Sequence, residues 1–199
     1  MTYQVALTCV VQIYRDPPRS TPLLRSTPGK AFLDVGRDAW ALVSGVLLVI
    51  HPQQYWMAKK VQESMMARGC CAETLSQWPS VQTAVSVIAN RSTPFHRDSK
   101  SRTTWFDLIT SIGPYRNAPM YLSPIKIRVD NTPGTICAFS GLALRHAVRK
   151  CGESRISFAW YLREDTRRRE DIAPASWMLQ SEYDGFVGRR GIRVSRTLL

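Results

Sequence analysis

The pattern of apolar positions divides this chain into an N-terminal part that favours helices and a C-terminal part of short strands. At the start, Tyr3, Val5, Leu7, Cys9 and Val11 alternate with other residues, which predicts a strand within residues 1–14. From Asp16 to Gly29, Pro17, Pro18, Pro22, Pro28 and Gly29 predict a loop or linker. The tetrad Arg-Ser-Thr-Pro occurs at 19–22, 25–28 and 91–94, a spacing too irregular for a structural repeat. Ala39 to Ile50 is strongly apolar and reads either as a buried strand or as the start of a helix, with Pro52 limiting its extension. Gln53 to Arg68 favours a helix that Gly69 stops. Val81, Val85, Val87 and Ile88 then predict a strand.

Beyond residue 100 the elements shorten. Trp105 to Ile112 is apolar and ends at Gly113-Pro114, while Tyr121 to Val129 alternates in part. Asn131-Thr-Pro-Gly134 is a turn signal, Thr135 to Phe139 a strand, and Ser140-Gly141 the next turn. Arg155 to Leu162, with Ile156, Phe158, Trp160 and Leu162 on one face, is the cleanest strand pattern in the chain. Many short strands between turns predict an α+β fold: an antiparallel barrel or jelly roll, flanked by helices from the N-terminal half. The expected organisation is an N-terminal extension over residues 1–32, a catalytic domain over 33–165 and a basic tail over 166–199.

Charge adds a partner to this picture. The net charge is +12, with a pI near 10.0. Such a surface favours polyanions, nucleic acid first among them. The five cysteines form no C-x-x-C pair, which argues against a disulfide framework or a cysteine zinc site and fits a reducing compartment. The longest apolar stretch is too short to span a bilayer, and the interrupted apolar patch Val5 to Ile13 is not expected to be a signal peptide.

The candidate chemistry rests on scarce residues. There are three histidines, His51, His96 and His146. His96-Arg97-Asp98 is an H-x-D triplet, and on a strand residues i and i+2 share a face, so imidazole and carboxylate can bind one metal. Adding His146 completes two histidines and one carboxylate, the facial triad of non-haem iron(II), with neighbouring coordination positions left open. His51 has no carboxylate partner nearby in sequence and reads as structural. Arg155 and Ser157 share a strand face opposite Ile156, where a guanidinium fork and a hydroxyl can hold a carboxylate such as the distal one of 2-oxoglutarate. An H-x-D triplet, a distal histidine and then an arginine is the order expected of an iron(II)- and 2-oxoglutarate-dependent oxygenase.

On Phe95-His-Arg-Asp-Ser99, Trp105-Phe-Asp-Leu108, Ile112-Gly113 with Tyr115, Pro133-Gly134, Phe139-Ser-Gly141, Leu144-Arg-His-Ala-Val148 and Arg155-Ile-Ser157, the chain resembles the TET/JBP family of nucleic-acid-modifying dioxygenases, in particular its short fungal members. The resemblance covers roughly residues 33–165. It implies a double-stranded β-helix, of the jelly-roll or cupin-like kind, flanked by helices. It implies iron(II) on His96, Asp98 and His146, and 2-oxoglutarate held by Arg155 and, less firmly, Ser157. It also implies methylated DNA as partner, with the methyl group of 5-methylcytosine or thymine oxidised in the nucleus. The cysteine-rich zinc region of animal TET enzymes is absent, so no zinc is implied, and no obligate protein partner is evident.

The base pocket does not match residue by residue. Asn90 and Arg97 are the candidate polar groups there, with a turn residue as the equal alternative for Asn90. Trp105, Phe106 and Phe139 are candidate apolar walls, each more in keeping with a core. Three other readings stay open: an oxygenase of the same fold acting on RNA or protein, a cupin-like metalloenzyme without 2-oxoglutarate, and a catalytically inactive DNA-binding relative.

Overall fold

The structure, a computed structural model, describes residues 3–8 and 19–189. Among the described residues, nine strands form two antiparallel sheets. The larger runs β1 (Tyr3–Thr8), β2 (Ala84–Ala89), β9 (Ile156–Tyr161), β4 (Asp107–Ile112), β7 (Ile136–Phe139) in spatial order. The smaller runs β3 (Thr93–His96), β8 (His146–Val148), β5 (Met120–Leu122), β6 (Ile127–Val129). Successive strands alternate between the sheets from β2 to β5, as in a double-stranded β-helix. Each sheet lends one face to a shared interior. Near β7 that interior is filled by Met120, Leu122, Cys137 and Phe139; elsewhere it is open and forms a cavity.

The other face of the larger sheet is covered by helices. α3 (Arg37–Ile50) buries Trp40, Val43, Ser44 and Leu47, the i, i+3, i+4, i+7 stripe of an amphipathic helix. α4 (Pro52–Ala67) buries Met57, Ala58, Val61 and Met65. These meet Val85, Leu108 and Trp160 from the sheet in one core. Trp40 is its hub, edge-on to Phe32, Trp78 and Trp160 at centroid distances of 5.0, 5.2 and 4.8 Å. Pairs of this kind add about 0.5–1.5 kcal/mol each beyond the area they bury. The apolar stretch 39–50 is therefore helix and not strand. His51 is structural: Nδ1 caps α4 by accepting from Gln54 N–H, and Nε2 donates to Thr104 O at 3.0 Å.

Some secondary-structure expectations are corrected. The proline-bearing stretch near the N-terminus is helical within its described part. α1 (Pro22–Arg25) and α2 (Thr27–Val35) each carry proline in the first turn, where its missing N–H costs no hydrogen bond and its fixed φ suits the helix. The boundary expected at residue 33 falls inside α2, and Leu24 and Leu33 belong to the same core. A short helix, α5 (Ala72–Gln77), stands where no element was expected.

The segment read as a basic tail is packed over its first part. Beyond α6 (Glu164–Arg169), Glu170 is buried and accepts from Ser64 Oγ at 2.8 Å, while the Ala175 carbonyl receives Thr104 Oγ1 and Trp105 Nε1. Glu164 gathers Arg167 and Arg102 at 2.6 and 2.9 Å, so much of the local basic charge is neutralised. α7 (Gln180–Arg189) follows, and residues 190–199 of the expected tail lie outside the described part, as do Cys9 and Val11 of the expected first strand. No described helix is long and apolar enough to cross a membrane.

Candidate metal centre

The cavity between the sheets has a volume of about 460 Å³, within the usual range for small-molecule sites. β2, β4 and β9 supply Ser86, Ile88, Asp107, Ile109, Ser157, Ala159 and Tyr161 to its lining, and β3 and β8 supply Thr93, His96, His146 and Val148. Residues of β2, β4, β8 and β9 reach it at alternate positions, as the pleat requires, while in β3 a register shift between Thr93 and His96 breaks the alternation.

His96 ends β3 and His146 opens β8, and the two are register partners in an antiparallel ladder. Their rings lie 4.2 Å apart between centroids. Asp98 sits two residues past His96, on a loop pinned by its own N–H donating to Gly141 O at 3.0 Å. One carboxylate oxygen is 3.6 Å from His96 Nε2 and the other 3.6 Å from His146 Nε2. One ligand atom from each of the three residues fits within 4.8 Å of the others. In both histidines Nδ1 faces the carbonyl two residues earlier, Pro94 O at 2.9 Å and Leu144 O at 3.0 Å. Donation there fixes the tautomer and leaves the Nε2 lone pair aimed at the common point. Burial lowers the His146 pKa, with the neighbouring His96 adding to it against the Leu144 hydrogen bond and the Asp98 charge; a neutral imidazole is the form a metal needs. Three donors with oriented lone pairs fit a divalent transition metal.

Arg155 is buried at the start of β9, 3% exposed, and lines the same cavity with Ser157. Its backbone N–H donates to Asn90 Oδ1 at 2.7 Å and its Nη2 to the Arg91 carbonyl. Its Nε has no partner among the described residues. A buried guanidinium with an unsatisfied N–H is the complement of a carboxylate, and this orphan is the observation that fits 2-oxoglutarate to the cavity.

The two candidate base contacts part company. Asn90 has φ of 54°, exchanges backbone and side-chain hydrogen bonds with Arg155, and is not part of the cavity lining. It is a turn residue that seats Arg155, because asparagine tolerates the left-handed region and its side-chain oxygen reaches a nearby N–H. Arg97 does line the cavity, where it is exposed and donates to Leu142 O at 3.2 Å, bracing the turn that leads to His146. The aromatic candidates all lie in cores: Trp105 and Phe106 beneath the helices, and Phe139 edge-on behind His146 at 4.7 Å. The apolar lining is instead Ile88, Ile109, Val148 and Tyr161.

Two cavity residues carried no assignment in the sequence reading. Asp107 is buried directly behind the triad, and burial, with the nearby Asp98 charge, pushes its carboxyl well above the usual range despite a hydrogen bond from Gly141. Gly141 separates the two acids: a Cβ there would strike Asp98 Oδ2 and Asp107 Oδ2. Asn131, read only as part of a turn, is buried in the lining and accepts from Ser111 Oγ at 3.3 Å. No signal available in one sequence marks either residue as facing the site.

Two histidines and a carboxylate at one point of a β-helix cavity, with a buried arginine opening on the same space, define the class as a 2-oxoglutarate- and iron-dependent oxygenase. The family follows: the Tet_JBP model, described as the oxygenase domain of the 2OGFeDO superfamily, matches residues 14–164, and the chain belongs to that family. Iron(II) and 2-oxoglutarate are the cofactors that membership carries.

Among solved structures the chain is similar to NgTET1 in complex with 5mC DNA, with a TM-score of 0.65 and 12% identity over 82% of this chain. The likeness shows the fold, and the chain spans 62% of that protein's length. A cupin protein with a double-stranded β-helix fold from Methanocaldococcus jannaschii aligns over 45% of this chain and 75% of its own, at 7% identity and a TM-score of 0.31. No curated protein sequence matches the chain.

Proposed function

We propose that this protein oxidises the 5-methyl group of 5-methylcytosine in DNA, with thymine as the nearest competing base. The observation that carries the reading is one cavity holding both the triad and the buried, unsatisfied Arg155. Support for the substrate comes from the family, from the net charge of +12, and from NgTET1, whose structure was solved with 5mC DNA.

His96, Asp98 and His146 would hold the metal, and Arg155 with Ser157 the distal carboxylate of 2-oxoglutarate. When bound, the metal and 2-oxoglutarate would activate dioxygen, one oxygen atom of which would turn a substrate C–H into C–OH while the other enters succinate as 2-oxoglutarate loses carbon dioxide. The chain's residues do the rest. Pro94 and Leu144 carbonyls keep both Nε2 atoms unprotonated. Asp107 and the Gly141 turn close the space behind Asp98. Ile88, Ile109 and Val148 keep water from the reacting methyl group. A base within a duplex cannot enter a cavity between two sheets, so it must leave the stack, and the exposed Lys100 and Arg97 at the rim are placed to meet the phosphates beside it. A nuclear location accompanies this substrate.

The test is nucleoside mass spectrometry after incubation with iron(II), 2-oxoglutarate and duplexes containing either 5-methylcytosine or only thymine as the methylated base. 5-Hydroxymethylcytosine with matching succinate is expected, and Asp98→Ala should make neither. Turnover of the thymine duplex alone would move the protein to thymine hydroxylation, and turnover of neither, with 2-oxoglutarate bound, to an RNA or protein substrate.

A further inference from the structure

The outer face of the smaller sheet carries a second arrangement that the active site does not use. His146 and Val148 point into the cavity, so Arg145, Ala147 and Arg149, at i, i+2 and i+4, point away from it. The ladder continues past both ends of β8, through Ser123 N–H to Arg145 O and Arg149 N–H to Pro119 O, so the alternation holds over all three. Tyr121 of β5 pairs with Ala147, and Arg128 of β6 pairs with Tyr121, which places both on the same outer face. Phe95, one residue before the cavity-facing His96, stands at its other end.

The side chains are already organised. The Arg145 guanidinium lies over the Phe95 ring at 5.4 Å, and that of Arg149 over Tyr121 at 5.2 Å. Neither arginine has a carboxylate partner among the described residues. Phe95 is 44% exposed, and Lys126 and Lys150 are exposed at the rim. The nearby acids are Asp130, which pairs with Arg128 at 3.4 Å, and Glu153, which accepts the Arg116 N–H. β3, β5 and β8 contain no acidic residue.

We infer that this face binds single-stranded nucleic acid. Aromatic rings capped by guanidinium planes are surfaces on which unpaired bases stack, while the N–H edges of the same guanidinium groups remain free for phosphates. The two outward arginines that flank β8 are about 13 Å apart along the strand direction at the ordinary rise per residue, enough to follow a backbone past more than one nucleotide. A duplex offers no base faces to such a surface. An acidic peptide would find the charge but no use for the rings. The site is distinct from the cavity mouth, since its residues and the two histidines of the triad lie on opposite faces of one sheet, and the inference does not depend on which base is oxidised.

The test uses the full chain and a short fluorescein-labelled oligothymidylate, with anisotropy read across a range of salt. The variant Arg128→Ala/Arg145→Ala/Arg149→Ala should bind at least about tenfold more weakly, and its log–log salt slope should fall by about 2, three cations at roughly 0.7 each for single strands. Arg145→Lys/Arg149→Lys keeps the charge and loses the planar stacking, so it should retain the slope and still bind roughly fivefold more weakly, as should Phe95→Ala. Lys59→Ala/Lys60→Ala on α4 should leave binding to the strand near wild type, and every variant should keep the thermal shift that 2-oxoglutarate induces. Three results would each overturn the inference: unchanged affinity in the arginine and lysine variants, an equal loss in the α4 control, or competition by polyglutamate as effective as that by unlabelled oligothymidylate.

Discussion

Replacing Arg155 by alanine is the sharpest test of the cavity's chemistry. The side chain is 3% exposed, so a carboxylate that meets it is shielded from water too. Nη2 is already engaged by the Arg91 carbonyl, whereas Nε is buried and unsatisfied among the described residues. Removing one partner of a buried charge pair costs about 3–5 kcal/mol, because the other charge stays desolvated without compensation. At about 1.4 kcal/mol per decade, that is a rise of roughly 100-fold or more in the 2-oxoglutarate concentration needed. Arg155→Lys restores a point charge without the fork and should fall between wild type and alanine. Succinate formation against 2-oxoglutarate concentration gives one readout. The thermal shift that 2-oxoglutarate induces in the presence of a divalent metal gives a second, independent of turnover. If Arg155→Ala keeps wild-type dependence in both, Arg155 is not the anchor, and its burial is only structural.

Gly141→Ala should abolish metal binding, measured by calorimetry with a redox-inert divalent ion, because the added Cβ strikes Asp98 Oδ2 and Asp107 Oδ2; Gly45→Ala, in α3 with nothing within 4 Å of its added Cβ, should instead stabilise by about 0.5–1 kcal/mol in denaturant unfolding. Burial pushes the Glu164 carboxyl up, but hydrogen bonds from Arg167 and Arg102 and their charges outweigh it and hold the pKa below 4.5. A depressed folded-state value gives stability that is complete above the unfolded value and lost as pH falls through the folded one. Glu164→Gln should therefore flatten the acid side of a thermal-melt series below about pH 5, and an unchanged acid limb would deny the cluster that role. Removing residues 190–199 deletes Arg190, Arg193 and Arg196 and should lower the salt slope of duplex binding by up to about 2.7 if all three meet phosphates; truncation at 166 should unfold the protein, because Thr166, Glu170 and Ala175 are buried.

How much of this was legible in the sequence depended on whether a feature is local. The triad was legible because metal binding needs rare residue types, and three histidines leave few combinations. Arg155 and Ser157 were legible because one strand's alternation fixes their common face. The same local logic failed at Pro22 and Pro28, where composition reads loop and the structure places proline in helix first turns. It failed again at residues 166–175, where the signal is positive charge but the fate of the segment is set by Glu164, Ser64 and Met57, the last two more than a hundred residues away. Asp107 shows why the limit is physical. In sequence it is one acid between Phe106 and Leu108, on a strand whose next residue is core. Its importance comes from Gly141, 34 residues on, where there is no room for a side chain, and from Asp98, whose charge lies beside its buried carboxyl. A carboxyl in that position has its pKa pushed up by burial and by neighbours that no window along the chain contains. Residues of rare type can be read from their chemistry, whereas the residues that shape the space behind them are visible only once the chain has folded.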